Sequence, residues 1–265
     1  MSVFLVACGE RDQFDLETEQ EIVIGLEADY APFNWASPQA NAYTVAINGQ
    51  PGFHADGYDV VMSREIASQL GLRLVIKAIS WDGLIPALLA GEIDLIIAGM
   101  SPTAERAQTV SFSEEYFRSE QVMVVRKDGN YQQATSIGDF AGARIVAQLG
   151  TLQDELITQI PGVIHQAPLS SYSNLVNALA YQTTDAFVAE LPVAMGIVQT
   201  NSDLMIIRFA EGSGFSVSDE EIIVSVALRQ EDVNLREAIN AALRTISLQQ
   251  RNEIMQAALN RQPQE

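Results

Sequence analysis

Residues 95–106 read LIIAGMSPTAER, and they join a buried strand to a cluster of hydrogen-bond donors. The apolar run Leu95–Met100 is typical of a strand that is buried on both faces. It leads into Ser101 and Thr103, one on each side of a proline, and Arg106 follows within the next turn. A guanidinium matches a carboxylate through two parallel hydrogen bonds, and free N–H groups after a strand add further donors. The segment therefore predicts a receptor for a carboxylate group.

The segments on either side alternate between strand and helix patterns. The predicted elements are strands at 22–26, 72–76 and 93–98 and helices at 57–70 and 83–90. The helices show apolar residues at helical spacing, and the strands are continuous apolar runs. Units of strand, helix and strand form parallel sheets with right-handed crossovers. The first part of the chain is therefore predicted to form a doubly wound α/β sheet.

A second module of the same kind follows residue 116. Its predicted elements are strands at 121–126, 143–148 and 186–189 and helices at 152–160 and 173–182. The unit at 173–190 repeats the order of the unit at 82–100: a helix, a break, an aspartate, an apolar strand and then polar residues. We therefore predict two similar lobes, each with its own doubly wound sheet, rather than one large sheet.

The last part of the chain supplies a return to the first lobe. A strand at 222–228 and helices at 234–248 and 249–259 are predicted there, and the segment 37–53 is expected to be a surface loop or hairpin around Asn48-Gly49. If the strand rejoins the first sheet, the chain crosses between the lobes near 116–119 and near 217–221, and two crossings form a hinge. The predicted domains are a flexible lead at 1–20, lobe 1 at 21–117 and 221–265, and lobe 2 at 118–220.

Composition and motifs exclude several classes of function. A chain of 265 residues with 48% hydrophobic content can bury the cores of two lobes. Its formal net charge is −19, so nucleic acid and anionic membrane surfaces are not expected partners. His54 and His165 lack the spacing of metal ligands, and the chain has no glycine-rich phosphate loop, nucleophile elbow or CxxC motif. We expect no metal, no cofactor and no catalytic residue.

Polar and aromatic residues gather after the predicted strands, where open α/β sheets bind their ligands. Arg106 can bind a carboxylate, and Glu190 can bind an ammonium group. Glu27, which lies near aromatic residues in the sequence, can bind a polar side chain. Each residue alone could be a surface ion pair, a solvated strand end or a core ring, but the set together fits a zwitterionic α-amino acid. The set comprises Glu27, Asp29, Tyr30, Pro32, Phe33, Trp35, Trp81, Ala98, Met100, Ser101, Thr103, Arg106, Gln148, Thr151, Leu152, Gln153 and Glu190.

Two blocks that flank residues 95–106 resemble a known family. They are WDGLIPALLAGEID at 81–94 and VSFSEEYF at 110–117. The pattern is similar to that of the polar amino-acid-binding proteins of ABC importers, the extracellular solute-binding proteins of the histidine, glutamine and arginine type, and it extends over residues 22–259. The resemblance implies a type II periplasmic-binding-protein-like fold, whose two lobes close on one amino acid and present it to a membrane permease.

The resemblance also implies roles for single residues. It assigns the side-chain pocket to Glu27, Tyr30, Phe33 and Trp81, the carboxylate site to Gly99, Met100, Ser101, Arg106, Thr151 and Leu152, the ammonium site to Ala98 and Glu190, and a further lobe 2 contact to Gln148. Two positions depart from the usual pattern of the family. Leu152 stands where many members have threonine or glycine, and Glu190 stands where aspartate is frequent.

Glu27 is the main indication of the ligand's side chain. A carboxylate between aromatic walls suits a cation or an amide, and Tyr30 and Trp81 could enclose a guanidinium by cation–π contact. Arginine is the first choice, and glutamine, histidine and lysine remain open. The alternative is an enzyme similar to cyclohexadienyl or arogenate dehydratase on the same fold, with Glu190 as its general acid. The complete set of amino-acid contacts favours a binding protein that is not an enzyme.

Cys8 is the one cysteine of the chain, and its surroundings, LVACG at 5–9, have the form of a bacterial lipobox. The apolar lead is short and has no basic segment before it, so we expect part of a signal peptide to be missing. The motif predicts a lipid anchor through Cys8 at the extracellular face of the cytoplasmic membrane, with a periplasmic protein as the alternative. The expected partners are an amino acid and an ABC permease, and the protein is expected to be a monomer.

Overall fold

The computed structural model describes residues 13–263 of the chain. Its strands are β1 (Glu21–Leu26), β2 (Asp29–Tyr30), β3 (Asn34–Ser37), β4 (Val45–Ala46), β5 (His54–Asp56), β6 (Arg73–Ala78), β7 (Leu95–Ile96), β8 (Ser111–Arg118), β9 (Gln121–Arg126), β10 (Arg144–Val146), β11 (Ile164–His165), β12 (Ala186–Glu190), β13 (Leu204–Ile207) and β14 (Ile223–Leu228). Its helices are α1 (Tyr58–Leu70), α2 (Leu84–Leu89), α3 (Leu152–Leu156), α4 (Tyr172–Ala180), α5 (Leu191–Thr200), α6 (Val233–Thr245) and α7 (Leu248–Arg261). Cys8 and the predicted lipobox lie outside the described residues. Within residues 13–263, no helix has the length and apolar character needed to cross a membrane.

The first sheet has the strand order β6-β1-β7-β14-β8. Strand β1 pairs in parallel with β6 on one side and with β7 on the other. Its residues Ile22, Ile24 and Leu26 are fully buried, as expected for a central strand covered by helices on both faces. Strand β14 pairs antiparallel with β7 and β8. The last part of the chain thus returns to the sheet in which the chain begins, as the sequence predicted.

The second sheet repeats this pattern with the order β11-β10-β12-β9-β13. Strand β10 pairs in parallel with β11 and β12, and β9 pairs antiparallel with β12 and β13. In each sheet, three parallel strands are therefore followed by one antiparallel strand. The units at 82–100 and 173–190, which were predicted to be similar, occupy equivalent positions in the two sheets. Their strands, β7 and β12, are each the third strand of a sheet.

Two details differ from the sequence prediction. Each sheet is mixed rather than wholly parallel, because its fourth strand enters from the crossing between the two modules. The apolar run at 93–98 forms a regular strand only at Leu95–Ile96. The backbone leaves the sheet soon afterwards, since Gly99 has a φ of +65°, a left-handed conformation that turns the chain towards the carboxyl edge.

The segment at 37–53 contributes to a third, smaller sheet with the order β2-β3-β5-β4. Strands β4 and β5 form an antiparallel hairpin whose turn includes Asn48-Gly49, with Gly49 at a φ of +80°. The expected hairpin is therefore present. The hairpin lies beside β3 in lobe 1, and its second strand, β5, ends directly before α1.

The two chain crossings lie side by side. The first runs from β8 through Ser119 and Glu120 into β9, and the second leads from β13 back to β14. The backbone N–H of Ser119 donates to the carbonyl of Ile222 at 2.8 Å, and Arg208 contacts the Glu120 carboxylate through two nitrogens at 2.6 and 2.9 Å. We propose this pair of crossings as the hinge, with the lobe boundaries that the sequence predicted at 117/118 and 220/221.

Gly57, directly before α1, lies close to the backbone of Phe33, and a substitution there tests this contact. Its φ of +130° and ψ of −180° belong to a backbone region that only glycine adopts readily, and an added Cβ would lie 2.2 Å from the carbonyl oxygen of Phe33. We expect Gly57→Ala to lower the free energy of unfolding by about 3 kcal/mol or more, as the sum of backbone strain and overpacking. Urea unfolding followed by circular dichroism measures this.

The matched control is Gly71→Ala, after the other end of α1. Gly71 also has a left-handed φ, +71°, but no atom lies within 4 Å of the place where its Cβ would stand. This change should lower the free energy of unfolding by only about 1–2 kcal/mol. Equal losses for the two variants would show that the close contact with Phe33 is absent.

Candidate functional site between the two sheets

A cleft between the two modules is lined from both sides by residues that follow the carboxyl ends of the strands. The first lobe contributes a carboxylate and an aromatic ring after β1, the turn after β7, and one guanidinium. The second lobe contributes the turn between β10 and α3, the start of α4 and the end of β12. The lining residues are Glu27, Tyr30, Trp81, Gly99, Ser101, Arg106, Gln148, Thr151, Leu152, Gln153, Tyr172 and Glu190.

Three residues of the predicted site lie behind this lining. Phe33 is fully buried and stacks on Tyr30 with ring centroids 5.3 Å apart, so it supports the aromatic wall from the side away from the cleft. Ala98 and Met100 are only 1% exposed and pack in the core of the first sheet. The carbonyl of Met100 accepts from Ser225 N at 2.9 Å and so belongs to the core as well. Of the wider set of strand-end residues, Asp29, Pro32, Trp35 and Thr103 are also outside the lining, and the remaining predicted residues line the cleft.

Tyr172 lines the cleft but was not in the set found from the sequence. It is the first residue of α4, whereas the predicted set consists of residues that follow strands. Gln153 was in that set without a role, and its amide donates to Gln121 Oε1 at 3.0 Å. An aromatic residue directly after the helix N-cap Ser171 was the only available signal for Tyr172.

Arg106 lies at the end of the cleft formed by the turn after β7. Its Nη1 donates to the Ser101 carbonyl at 2.9 Å and its Nη2 to the Gly150 carbonyl at 3.1 Å. The guanidinium also lies over the ring of Trp81, 5.2 Å from the centroid. Burial lowers the pKa of Arg106 to about 10, although Glu155 and Glu105 oppose the change. The side chain is therefore a largely buried cation at neutral pH.

Glu190 stands at the opposite side of the cleft, at the end of β12. Its side chain is 97% covered, and the hydroxyl of Tyr30 donates to its Oε2. Burial raises the pKa of Glu190 to about 8, and no basic side chain offsets this effect. A carboxyl group in this position favours a cation as its partner, because an isolated buried carboxylate is unstable.

Glu27 supplies a second, partly buried acid directly after β1. Its Oε1 accepts from Gln148 Nε2 of the second lobe at 2.7 Å. Burial raises the pKa of Glu27 to about 7, against the lowering effect of Gln148, and the nearby Asp29 and Asp82 raise it further. The side-chain end of the cleft is therefore acidic and lacks a compensating positive charge among the described residues.

The two lobes are in contact around these groups. Besides the pair of Glu27 and Gln148, Trp81 Nε1 donates to the Gly150 carbonyl at 3.0 Å, and Ser173 Oγ donates to Asp29 Oδ1 at 2.7 Å. The cavity that remains has a volume of about 20 Å³, which suits about one water molecule. This is a closed arrangement, and a larger ligand can enter only when the lobes separate.

Comparison with known proteins identifies the family. The family model for bacterial extracellular solute-binding proteins, family 3, matches residues 22–259. The chain belongs to this family. The match has the extent that the sequence predicted, and the family and its solved structures confirm both the resemblance and the type II binding-protein fold.

Several known proteins are similar to this chain over most of their length. The arginine-binding extracellular protein ArtP of Bacillus subtilis is 28% identical over 245 residues, which cover 91% of this chain and 86% of ArtP. A probable histidine-binding protein of Campylobacter jejuni is 32% identical over 226 residues, or 81% of this chain and 80% of the relative. The solved arginine-bound form of a truncated ArgBP from T. maritima has a TM-score of 0.69 and 33% identity, and the match covers 86% of this chain and 97% of that one.

A network of hydrogen bonds around Asp59 holds the turns after β1 and β7 in place. Asp59, at the start of α1, accepts from Asn34 Nδ2 at 2.8 Å and from the hydroxyl of Tyr116 at 2.8 Å. Asn34 Oδ1 accepts from Ala28 N at 2.7 Å, and the Tyr116 oxygen accepts from Gly99 N at 3.0 Å. The carboxylate thereby fixes the turns after β1 and β7, so that both are rigid parts of lobe 1.

The two cleft acids should make closure of the ligand-free protein depend on pH. In the closed arrangement the pKa values of Glu27 and Glu190 are raised from 4.5 to about 7 and about 8, so closure takes up protons. The stabilisation of the closed arrangement by these protons is complete below about pH 4.5, and it is lost as the pH rises through 7 and 8. We expect a smaller radius of gyration at pH 5.5 than at pH 8.5 in small-angle X-ray scattering of the ligand-free protein.

The control is the double variant Glu27→Gln with Glu190→Gln, which removes both titrating groups and should have the same radius of gyration at the two pH values. If the unchanged protein also shows no difference, or opens when acidified, the two carboxyl groups do not control closure.

Proposed function

We propose that this chain is the substrate-binding component of an ABC importer and that it binds one polar L-amino acid between its two closing lobes. The observation that carries the proposal is the arrangement of opposite charges in one cleft. Arg106 is a partly buried cation beside the turn after β7, and Glu190 is a buried acid at the end of β12. A zwitterion offers a carboxylate to the first and an ammonium to the second, so both charges gain a partner on binding.

Specific contacts follow from this arrangement. The α-carboxylate would take its hydrogen bonds from Arg106 and from the turn that carries Gly99 and Ser101, and the second lobe would add the start of α3 at Thr151 and Leu152. The α-ammonium would bind Glu190. Arg106 donates two of its five N–H groups to the carbonyls of Ser101 and Gly150, so three remain for the ligand carboxylate.

We propose a basic side chain for the ligand, with arginine first and glutamine, histidine and lysine as the other candidates. Glu27 supplies the acceptor, and Tyr30 and Trp81 supply rings on two sides. The names of the relatives support this choice, since they include arginine-binding and histidine-binding proteins. A cation at this end would compensate Glu27, whose carboxylate is unfavourable in the closed cleft.

The dehydratase alternative finds no support among the relatives described above, which are all named for binding. We therefore propose that the chain acts without catalysis, as a receptor that presents its amino acid to a membrane permease. We further propose that it works as a monomer outside the cytoplasmic membrane, held there by a lipid on Cys8. The lipobox form of residues 5–9 supports the anchor.

Isothermal titration calorimetry tests the proposal. Ligand-stripped protein is titrated with the twenty amino acids, and with prephenate and arogenate. We expect saturable binding of at least one of arginine, lysine, histidine and glutamine. Arg106→Ala should weaken binding of every amino acid by about 100-fold or more, because the charge-assisted hydrogen bonds to the α-carboxylate are lost and the group is common to all of them.

The matched control is Arg73→Ala, which removes an exposed arginine that pairs with Glu21 far from the cleft. It should bind as the unchanged protein does. The proposal fails if no amino acid binds, or if Arg106→Ala binds as well as the control. Turnover of arogenate would instead establish the dehydratase.

A further inference from the structure

The hydroxyl of Tyr172 is a buried polar group with no hydrogen-bond partner among residues 13–263. Tyr172 begins α4 and is 5% exposed, and its ring packs on Tyr30 at 4.9 Å and on Phe187 at 6.4 Å between centroids. Its hydroxyl makes no hydrogen bond to any of the residues that the structure describes. A buried hydroxyl without a partner is unfavourable, so such a group in a binding cleft points to a ligand atom as its partner.

The Tyr172 hydroxyl differs from other buried atoms without a hydrogen bond because Tyr172 lines the cleft. The Nδ1 of His54 and the Oγ of Ser225 are also buried without a hydrogen bond among residues 13–263, but neither residue lines the cleft. Tyr172 does line it, together with Glu27. The two groups are close enough that the Glu27 carboxylate adds to the effect of burial in raising the pKa of the Tyr172 phenol.

Closure of the lobes brings Tyr172 to this place. The next residue of α4, Ser173, donates to Asp29 Oδ1 across the cleft at 2.7 Å. At the same end, Gln148 donates to Glu27 Oε1 at 2.7 Å. The start of α4 is therefore the part of lobe 2 that covers the side-chain end of the cleft, while the turn at Gly150 covers the end near Arg106.

We propose that the Tyr172 hydroxyl accepts a hydrogen bond from the cationic end of the bound amino acid and is the second-lobe residue that selects for it. The proposal rests on the proposed function. A guanidinium carries five N–H donors, more than the oxygens of Glu27 can accept, and one of these oxygens already faces Gln148. The phenol oxygen supplies the next acceptor. Both lobes then select for a cationic side chain. Lobe 1 supplies the negative charge of Glu27, and lobe 2 supplies a further hydrogen-bond acceptor, the Tyr172 oxygen.

Three conservative variants test this assignment. Tyr172→Phe removes only the hydroxyl, Ser173→Ala removes the adjacent contact to Asp29, and Tyr181→Phe makes the same chemical change at a tyrosine that is 81% exposed. Dissociation constants for arginine and glutamine are measured by calorimetry. The melting temperature of each ligand-free variant is measured as well, because a purely structural role would lower it.

We expect Tyr172→Phe to raise the dissociation constant for arginine about tenfold or more, as for loss of a hydrogen bond to a charged group, and that for glutamine about fivefold or less. The melting temperature without ligand should stay the same or rise, since an unpaired buried hydroxyl is removed. Ser173→Ala should weaken both ligands by the same factor, and Tyr181→Phe should change neither.

Two results would overturn the assignment while leaving the proposed function intact. One is arginine binding by Tyr172→Phe within twofold of the unchanged protein. The other is an equal loss for arginine and glutamine together with a lower melting temperature. Failure of the unchanged protein to bind any amino acid would overturn both the proposed function and this inference.

Discussion

The burial of ionisable groups between two lobes is the condition on which the rest of this structure depends. Glu27 and Glu190 lose their hydration when the lobes meet, and the pKa of each carboxyl is raised by that burial. Arg106 loses hydration in the same cleft, and its pKa is lowered. The closed cleft therefore disfavours the charged forms of one cation and two acids, and a ligand with complementary charges stabilises closure where water no longer can.

The fold separates what must be rigid from what must move. Within lobe 1, Asp59 ties the turns after β1 and β7 to α1 through a network of four hydrogen bonds, three of them buried. Between the lobes, the contacts of Glu27, Asp29 and Trp81 are single hydrogen bonds that can break without disturbing either core. The two crossings are joined beside Ser119 and Ile222 by a backbone hydrogen bond, as the proposed hinge requires.

Much of this arrangement could be predicted from the sequence because it follows from periodicity and from one rule about strand ends. Apolar runs located the central strands, and the rule found most of the cleft, including Arg106 and Glu190. It failed where position depends on packing. Phe33 is a strand-end aromatic that stacks behind Tyr30 instead of facing the cleft, and Tyr172 belongs to the start of a helix, which the rule about strand ends does not cover. The alternating residues of β8 were also missed, since half of that strand is polar.

The central claim is that the charge of the ligand's side chain compensates Glu27. The most direct measurement is a thermodynamic cycle by calorimetry, with arginine and its neutral analogue citrulline titrated into the unchanged protein and into Glu27→Gln. One close ion pair with Glu27 should favour arginine over citrulline by about 100-fold in the unchanged protein, and most of this preference should disappear in the variant, which lacks the pair. An equal preference in both proteins, or equal binding of the two ligands by the unchanged protein, would contradict the account.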